Sequence, residues 1–184
     1  MDEDRVKKLI RDLIIEIGED PTREGLRDTP RRIASVYKEI FAGYDSDSEL
    51  SVQFSEDSET VVIRDIQFYS MCEHHMLPFY GKIILAYSPN GRVFGISKLV
   101  RLVEKYSKRL QIQERLTKNI ADELYSQGNK GVAVMIEAEH LCMRMRGVKN
   151  DAKLTCSAFR GIYEDQQTKQ HIIETIQTRP ASQT

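Results

Sequence analysis

The sequence predicts an α+β protein in which helices cover one face of an antiparallel sheet. Two helical stripes of apolar residues open the 184-residue chain, and two runs rich in β-branched and aromatic residues follow them. Two further helical stripes and two or three further strands complete the order. Strands and helices that are grouped in this way, rather than strictly alternating, are typical of the α+β class.

The first two helices are predicted from apolar periodicity and from their ends. Apolar residues recur on one helical face over residues 4–17, and Gly18 suits the end of that helix. The second helix is predicted to begin at Asp28, a capping residue shortly before Pro30, and to end at Gly43. We interpret both stripes as core or oligomer contacts rather than as an active site.

An acidic connector over residues 45–60 is predicted to separate an N-terminal helical region, residues 1–44, from a main domain, residues 61–176. Lysine and arginine are missing from residues 44–60, which suits a solvated segment with at most one short strand. Residues 177–184 are predicted to be a polar tail.

The main domain is predicted to contain both helices and strands. We expect one helix to begin at Ser97 as its capping residue, and another to begin at Gln113 and to end near Gly128. The expected strands cover residues 61–69, 79–87, 132–137, 140–148 and 154–163.

The composition excludes several classes of protein. A formal net charge of -1, with 40% hydrophobic and 30% charged residues, gives no basis for general binding to nucleic acid or to a membrane surface. No apolar run approaches the roughly 18 residues that a membrane span needs. The charged N-terminus lacks the apolar core of a signal peptide, and three cysteines do not form a disulfide framework. We therefore expect a cytoplasmic protein whose thiols are available for metal.

Two short segments concentrate the residues that can bind a metal. Of four histidines and three cysteines in the chain, Cys72, His74 and His75 lie within four consecutive positions, and His140 and Cys142 form a second cluster. Thiolate and imidazole together favour zinc over hard cations. Cys72, His75 and Cys142 would supply two sulfurs and one nitrogen and leave one position open, as in catalytic zinc sites.

The remaining members of the two clusters are expected near that metal. If residues 140–148 form a strand, His140 and Cys142 share a face, so His140 lies beside the metal without having to bind it. His74 would stay close because it adjoins a ligand. The third cysteine, Cys156, has no such neighbours in the sequence and is interpreted as a core thiol.

A helix N-terminus is predicted to bind an anion beside the metal. Ser97, Lys98 and Arg101 lie in its first turn, where cations oppose the helix dipole unless an anion is present. Backbone N–H groups, a hydroxyl and two cations would hold a phosphate group. Arg144 or Arg146 could reach the same anion, because both follow Cys142 at strand spacing. The alternative is that these cations are solvated surface residues.

Gln113 and Glu114 open the next predicted helix. A glutamate in the first turn is often only a favourable partner of the helix dipole. A carboxylate beside an amide is also suited to reading the edge of a purine.

Long, ordered motifs give the chain a specific resemblance. The matching segments of the main domain are residues 72–75, 78–81, 95–99, 111–117 and 140–147. Together with the N-terminal residues 18–26 and 29–32, they resemble GTP cyclohydrolase I, and the resemblance covers nearly the whole chain.

That resemblance implies conversion of GTP and water to 7,8-dihydroneopterin triphosphate and formate, the first step toward folate-type pterins. It implies zinc held by Cys72, His75 and Cys142, with His74 and His140 as catalytic proton carriers.

The resemblance also implies how the substrate is held. Glu114 would hydrogen-bond N1 and the 2-amino group of guanine, with Gln113 nearby, and Ser97 would serve the ribose and its proton transfers. Three cations would bind the triphosphate: Lys98, Arg101 and Arg146.

The fold implied by the resemblance is the tunnelling fold, in which sheets from several subunits close into a barrel. Members assemble as toroidal homodecamers with active sites at subunit interfaces, which would protect the bare edges of a small sheet.

Two features depart from the family pattern. A serine and alternating threonines usually follow the last motif, but Ala152 and Leu154 stand in the corresponding run, so those hydroxyls are partly lost. The N-terminus is short compared with regulated animal members, so control by a partner protein is not expected.

Two other functions remain open at this point. A pterin-modifying or nitrile-reducing enzyme with the same fold would use another ligand pattern. A non-catalytic, zinc-stabilised oligomer that binds nucleotide would not need an open zinc position.

Overall fold

The computed structural model describes residues 1–46, 50, 53–56 and 58–177. The helices are α1 Glu3–Glu16, α2 Thr29–Ile40, α3 Ile96–Ser107, α4 Gln113–Ser126, α5 Leu141–Arg144 and α6 Gln166–Gln177. The strands are β1 Gln53–Ser55, β2 Val61–Cys72, β3 Pro78–Ser88, β4 Arg92–Phe94, β5 Leu110–Gln111, β6 Gly131–His140 and β7 Leu154–Gly161. None of the helices in these described ranges is long and apolar enough to cross a membrane.

The two N-terminal helices form where the apolar stripes predicted them, and they pack against each other. Helix α2 ends at Ile40, before Gly43, because the chain turns there to meet the end of α3. The N–H of Gly43 donates to the carbonyl of Lys108 at 3.0 Å. A Cβ atom on Gly43 would lie 2.4 Å from the carbonyl oxygen of Lys105, so this contact requires glycine.

A five-stranded sheet in the order β5-β2-β3-β6-β7 forms the centre of the protein. The pairs β2–β3, β3–β6 and β6–β7 are antiparallel, and the short β5 pairs parallel to the end of β2. Strand β1, the short strand expected in the connector, pairs with β4 in a separate two-stranded sheet. The α+β class and a mainly antiparallel sheet are therefore confirmed.

The register of the sheet brings three strand ends together. Met71 pairs with Pro78, so β2 ends where β3 begins. Phe79 pairs with His140, so β6 ends at the same place. Gln111 of β5 pairs with Cys72 at this end as well. We call it the site end of the sheet.

Helices cover both faces of the sheet, so the expectation of helices on one face is wrong. Helices α3 and α4 pack on one face, where alternate residues of β3 such as Ile83 and Leu85 are fully buried. Helix α6 packs on part of the other face, where Ile172 and Ile176 join Ala86. The second face carries apolar side chains that need cover, and these two isoleucines, one helical turn apart, supply it.

Three predicted boundaries in the main domain are also wrong. The strand expected over residues 140–148 does not form, because β6 already ends at His140 and α5 follows. Ser97 does not cap α3, since Gly95 has the extended backbone of the capping position and Ser97 lies exposed in the first turn. The last strand ends at Gly161, whose φ of 62° turns the chain into a 3₁₀ turn. The polar tail beyond residue 177 lies outside the described residues.

Candidate metal centre and nucleotide site

A tight loop after β2 places two of the predicted metal ligands side by side. The carbonyl of Cys72 accepts the N–H of Met76 at 2.8 Å, and the N–H of Cys72 donates to the carbonyl of Leu77 at 2.9 Å. Met76 takes a left-handed backbone, with φ of 52°, that lets the loop fold back on itself. As a result, Nδ1 of His75 lies 3.8 Å from Sγ of Cys72.

The third ligand arrives from the end of β6. The single turn α5, which follows His140 directly, carries Cys142 over the loop. One ligand atom each of Cys72, His75 and Cys142 lies within 4.8 Å of the others. The structure therefore brings together the three predicted ligands, although by a helical turn rather than by the predicted strand.

These three side chains fit a tetrahedral zinc ion. Bonds of roughly 2.3 Å to sulfur and 2.0–2.1 Å to nitrogen put neighbouring ligand atoms roughly 3.5–4 Å apart. The separation of 3.8 Å between Cys72 and His75 agrees with this. Across the described part of the chain, no fourth His, Cys, Asp or Glu belongs to the group. A donor set of two sulfurs and one nitrogen with one open position is typical of catalytic zinc.

The surroundings of Cys142 disfavour the ionised form of its thiol. Burial and the nearby Cys72 raise its pKa above the ordinary value for cysteine, while the charge of Arg146 acts in the opposite direction. A bound metal ion reverses this balance because it binds the thiolate directly.

His140 is held next to the metal group by two contacts. Its ring stacks on Phe79 at a centroid distance of 4.7 Å and an interplanar angle of 2°. Its Nε2 lies 2.8 Å from Oε1 of Gln113. Burial lowers the pKa of His140, and the carboxylate of Glu114 partly opposes that shift.

His74, the other predicted proton carrier, is exposed on the same loop. Its Nδ1 lies 4.0 Å from Sγ of Cys72. The preceding residue, Glu73, forms a two-pronged ion pair with the guanidinium of Arg115 on α4. That ion pair holds the pKa of the Glu73 carboxyl below its ordinary value, and it joins the ligand loop to α4.

The two residues expected to read a purine have different environments. The side chain of Gln113 is buried, and Nε2 donates to the carbonyls of Ile136 and Leu154 at 3.0 and 2.9 Å. We expected this amide to face a purine, but its oxygen faces His140. Glu114 is exposed and borders a depression of about 560 Å³ that Cys156 also lines.

The two arginines after Cys142 also differ. Arg144 forms ion pairs with Glu139 and Asp151 at 2.9 and 2.8 Å. Arg146 instead approaches the metal group, with one guanidinium nitrogen 3.1 Å from Nε2 of His75. Of the two, Arg146 is therefore the one placed to meet an anion beside the metal.

Within one chain, the other predicted anion-binding residues lie far from the metal group. Helix α3 begins after β4, and the N–H of Phe94 donates to the hydroxyl of Tyr87 at 3.1 Å. Tyr87 lies near the end of β3 that is remote from Pro78, and the intervening strand spans about 30 Å at roughly 3.3 Å per residue. The expectation that Ser97 and its neighbours Lys98 and Arg101 lie beside the metal is wrong for a single chain.

Comparison with known proteins agrees with this site. The family model for GTP cyclohydrolase I matches residues 6–177. The chain belongs to the GTP cyclohydrolase I family.

Its relatives are similar over nearly their full length. GTP cyclohydrolase 1 of Hyperthermus butylicus is 50% identical over 96% of this chain and 92% of its own length. The enzyme of Clostridium kluyveri is 52% identical over 90% of this chain and 92% of its own length. That of Streptococcus agalactiae is 50% identical over 95% of this chain and 97% of its own length. The chain is thus an enzyme of the hydrolase class, and the family resemblance seen in the sequence is confirmed.

Three contacts of this GTP cyclohydrolase I family site were not anticipated from the sequence. They are the stacking of Phe79 on His140, the ion pair of Arg115 with Glu73, and the hydrogen bond of Gln113 to His140. Each joins residues that are far apart in the chain. Only the pairing register and the position of α4 bring them together, and no local pattern encodes either.

Replacing Cys142 with alanine tests the metal group. We expect zinc affinity to fall by more than roughly 100-fold, which exceeds the loss that outer hydrogen-bond partners of a metal site produce. Zinc per chain is measured after dialysis against a graded chelator. The matched control is Cys156→Ala, which removes a thiol on β7 outside the group and should leave zinc content unchanged. Full zinc retention by Cys142→Ala would refute the ligand assignment.

Proposed function

We propose that the chain catalyses the zinc-dependent hydrolysis of GTP at C8 of guanine, with release of formate and rearrangement to 7,8-dihydroneopterin triphosphate. Membership of the family supports the overall conversion of GTP to dihydroneopterin triphosphate. The observation that carries the finer proposal is the meeting of Cys72, His75 and Cys142 at the site end of the sheet, beside His74 and His140.

The metal would be held by the two thiolates and by the imidazole of His75. When bound, zinc supplies the Lewis acidity that activates water for hydrolysis at neutral pH. The protein supplies what surrounds it: the buried Cys72 on a strand end, the half-buried Cys142 on a helical turn, and a loop that fixes His75.

The two remaining histidines would carry protons. Protonation of N7 makes C8 of guanine more electrophilic, and an imidazole is suited to this because it titrates near neutral pH. We assign this role to His140, which is fixed by Phe79 and Gln113. His74, which is exposed, would carry protons in the later ring-opening steps, and Ser97 would serve those at the ribose.

Guanine would be recognised by Glu114. A carboxylate accepts hydrogen bonds from N1–H and from the 2-amino group together, and adenine offers neither donor. A site that leaves a carboxylate unpaired rejects the wrong base strongly. Glu114 is exposed at the start of α4, next to the buried Gln113, so its carboxylate is accessible to a ligand.

The triphosphate would be bound by cations from two copies of the chain. Arg146 lies beside the metal group, whereas Lys98 and Arg101 lie in the first half of α3, which begins at the opposite end of the sheet. Since the sheet of one chain keeps these groups apart, a second copy would have to bring its α3 to the site end of the first copy's sheet. We therefore propose a homo-oligomer with interfacial active sites, and a homodecamer with the tunnelling fold as its form.

The sheet edges support such an assembly. In the described residues β7 pairs only with β6, and β5 covers only the last two residues of β2. Long unpaired edges favour pairing with another chain. The three cysteines are free thiols, which suits the cytoplasm as the proposed location.

Incubation with GTP, with and without a metal chelator, tests the proposed reaction. We expect formate and a product with the ultraviolet absorbance of a dihydropterin, in equal amounts, and loss of both when zinc is removed. Zinc content is measured on the same samples. GTP binding without formate release would instead indicate a nucleotide-binding oligomer, and a pterin product that forms equally well without metal would contradict the role of zinc.

Mixing two inactive variants tests the shared site. In the proposed shared site, one chain supplies the cations of α3 and the other supplies the metal ligands and Glu114. Lys98→Ala impairs the first contribution and Glu114→Ala impairs the second, so each variant alone should be nearly inactive. Mixed oligomers should recover about a quarter of wild-type activity, because about one random pairing in four joins two intact halves. Remixed samples of either variant with itself are the control. No recovery in proven mixed oligomers would place both halves in one chain.

A further inference from the structure

A buried glutamine, Gln113, lies next to the proposed proton carrier, and its full set of hydrogen bonds defines its role more closely. Gln113 is 1% exposed, although it opens a helix beside the site. Burying an amide is unfavourable unless all its polar atoms find partners. Its partners therefore indicate what the residue does.

The hydrogen bonds of Gln113 leave only one orientation for its amide. Backbone carbonyls can only accept, so Nε2 must be the atom that faces Ile136 on β6 and Leu154 on β7. Both amide hydrogens are used in these two bonds. Oε1 is then the atom that lies 2.8 Å from Nε2 of His140.

This arrangement decides which nitrogen of His140 carries a hydrogen. Oε1 of Gln113 can only accept, so the Nε2 that faces it must be an N–H group. The second ring nitrogen, Nδ1, makes no hydrogen bond within the described residues. Stacking on Phe79 fixes the plane of the ring at the same time.

We propose that Gln113 is a positioning residue, which holds His140 with hydrogen on Nε2 and leaves Nδ1 as the nitrogen that exchanges a proton with the substrate. The proposal rests on the proposed function in assigning His140 to proton transfer. It replaces the interpretation of Gln113 as a reader of the purine edge, because no amide hydrogen is left for a base.

The two carbonyl partners make the position of the Gln113 side chain rigid. Ile136 belongs to the middle of β6, and Leu154 is the first residue of β7, so the amide bridges two paired strands. The start of α4 is thereby tied to the sheet, and His140 is tied to α4. A residue held by two strands can keep an imidazole within the narrow range of angles that proton transfer requires.

The matched pair of variants is Gln113→Met and Gln111→Met. Both glutamines are buried, at 1% and 2% exposure, but the amide of Gln111 donates to the carbonyl of Tyr106, whereas Gln113 is the hydrogen-bond partner of His140 among the described residues. Methionine keeps the length of the side chain and removes its hydrogen bonds. A general effect of losing a buried amide should appear in both variants, whereas an effect on His140 should appear in one.

In steady-state kinetics with GTP, we expect Gln113→Met to lower kcat about 10- to 100-fold, the range produced when a metal-ligating histidine loses its outer hydrogen bond. KM should change by less than about threefold, because ground-state binding of GTP is not altered. Gln111→Met should keep kcat within about threefold. A loss that falls mainly on KM would indicate that Gln113 contacts the purine, and an unchanged kcat would also overturn the proposal.

A spectroscopic measurement on the unaltered enzyme tests the same inference without activity. Nitrogen NMR of the zinc-loaded oligomer, labelled with ¹⁵N at its four histidines, reports which ring nitrogen carries hydrogen. The signals of His140 are assigned because they disappear in His140→Gln. At about pH 8 we expect them to show hydrogen on Nε2 in the wild type and in Gln111→Met. Gln113→Met should show a mixture of both forms.

Hydrogen on Nδ1 of His140 in the wild type would overturn the proposal even in a fully active enzyme. Conversely, the expected nitrogen signals in a protein that releases no formate from GTP would leave the hydrogen bond established and refute the proposed reaction instead. The two claims therefore fail in different ways.

Discussion

The pairing of β3 with both β2 and β6 is the constraint on which the site depends. It places Cys72, the start of β3 and His140 at one end of the sheet, although His140 lies more than sixty residues after the other two. A slip of one residue in either register would turn every side chain of the shifted strand to the opposite face. The fully buried residues of β3, Ile83 and Leu85, oppose such a slip because it would take them out of the core beneath α3 and α4. The hydrophobic core thus fixes the metal group before any ion binds.

The same constraint divides the substrate site into two parts. Everything that would bind zinc and guanine gathers at the site end, because β2, β6 and α4 all present an end there. Helix α3 begins at the opposite end, after β4, and carries its cations with it. Under the proposed function a single chain would complete its site with a neighbour, and the sheet edges left unpaired among the described residues would favour a second copy as that neighbour.

Much of the site could be predicted from sequence because its chemistry is local. Cys72 and His75 lie in one loop, and scarce metal-binding residue types cluster in two short segments. The strand predicted over residues 140–148 is wrong, although polar and apolar side chains largely alternate from His140 to Arg146, as they do in a strand. In the structure a helical turn carries Cys142 back over the loop.

Other features could not be predicted from local sequence patterns. An amide beside a carboxylate at the start of a helix suggests a reader of a purine edge, but the amide of Gln113 donates to backbone groups of two distant strands. Nothing in the sequence states at which end of the sheet α3 begins, so the cations near Ser97 were placed beside the metal. Helix α6 is not predicted from the sequence because its three isoleucines, two of them buried, lie in an otherwise polar segment.

The most direct test of the central claim is to locate the ion. Crystals of the zinc-loaded, GTP-free enzyme are measured on either side of the zinc absorption edge. One anomalous peak per chain is predicted about 2.3 Å from the sulfurs of Cys72 and Cys142 and about 2.0–2.1 Å from a nitrogen of His75, with no fourth side chain bound. A peak elsewhere in the chain, or a fourth protein ligand that closes the site, would contradict the account.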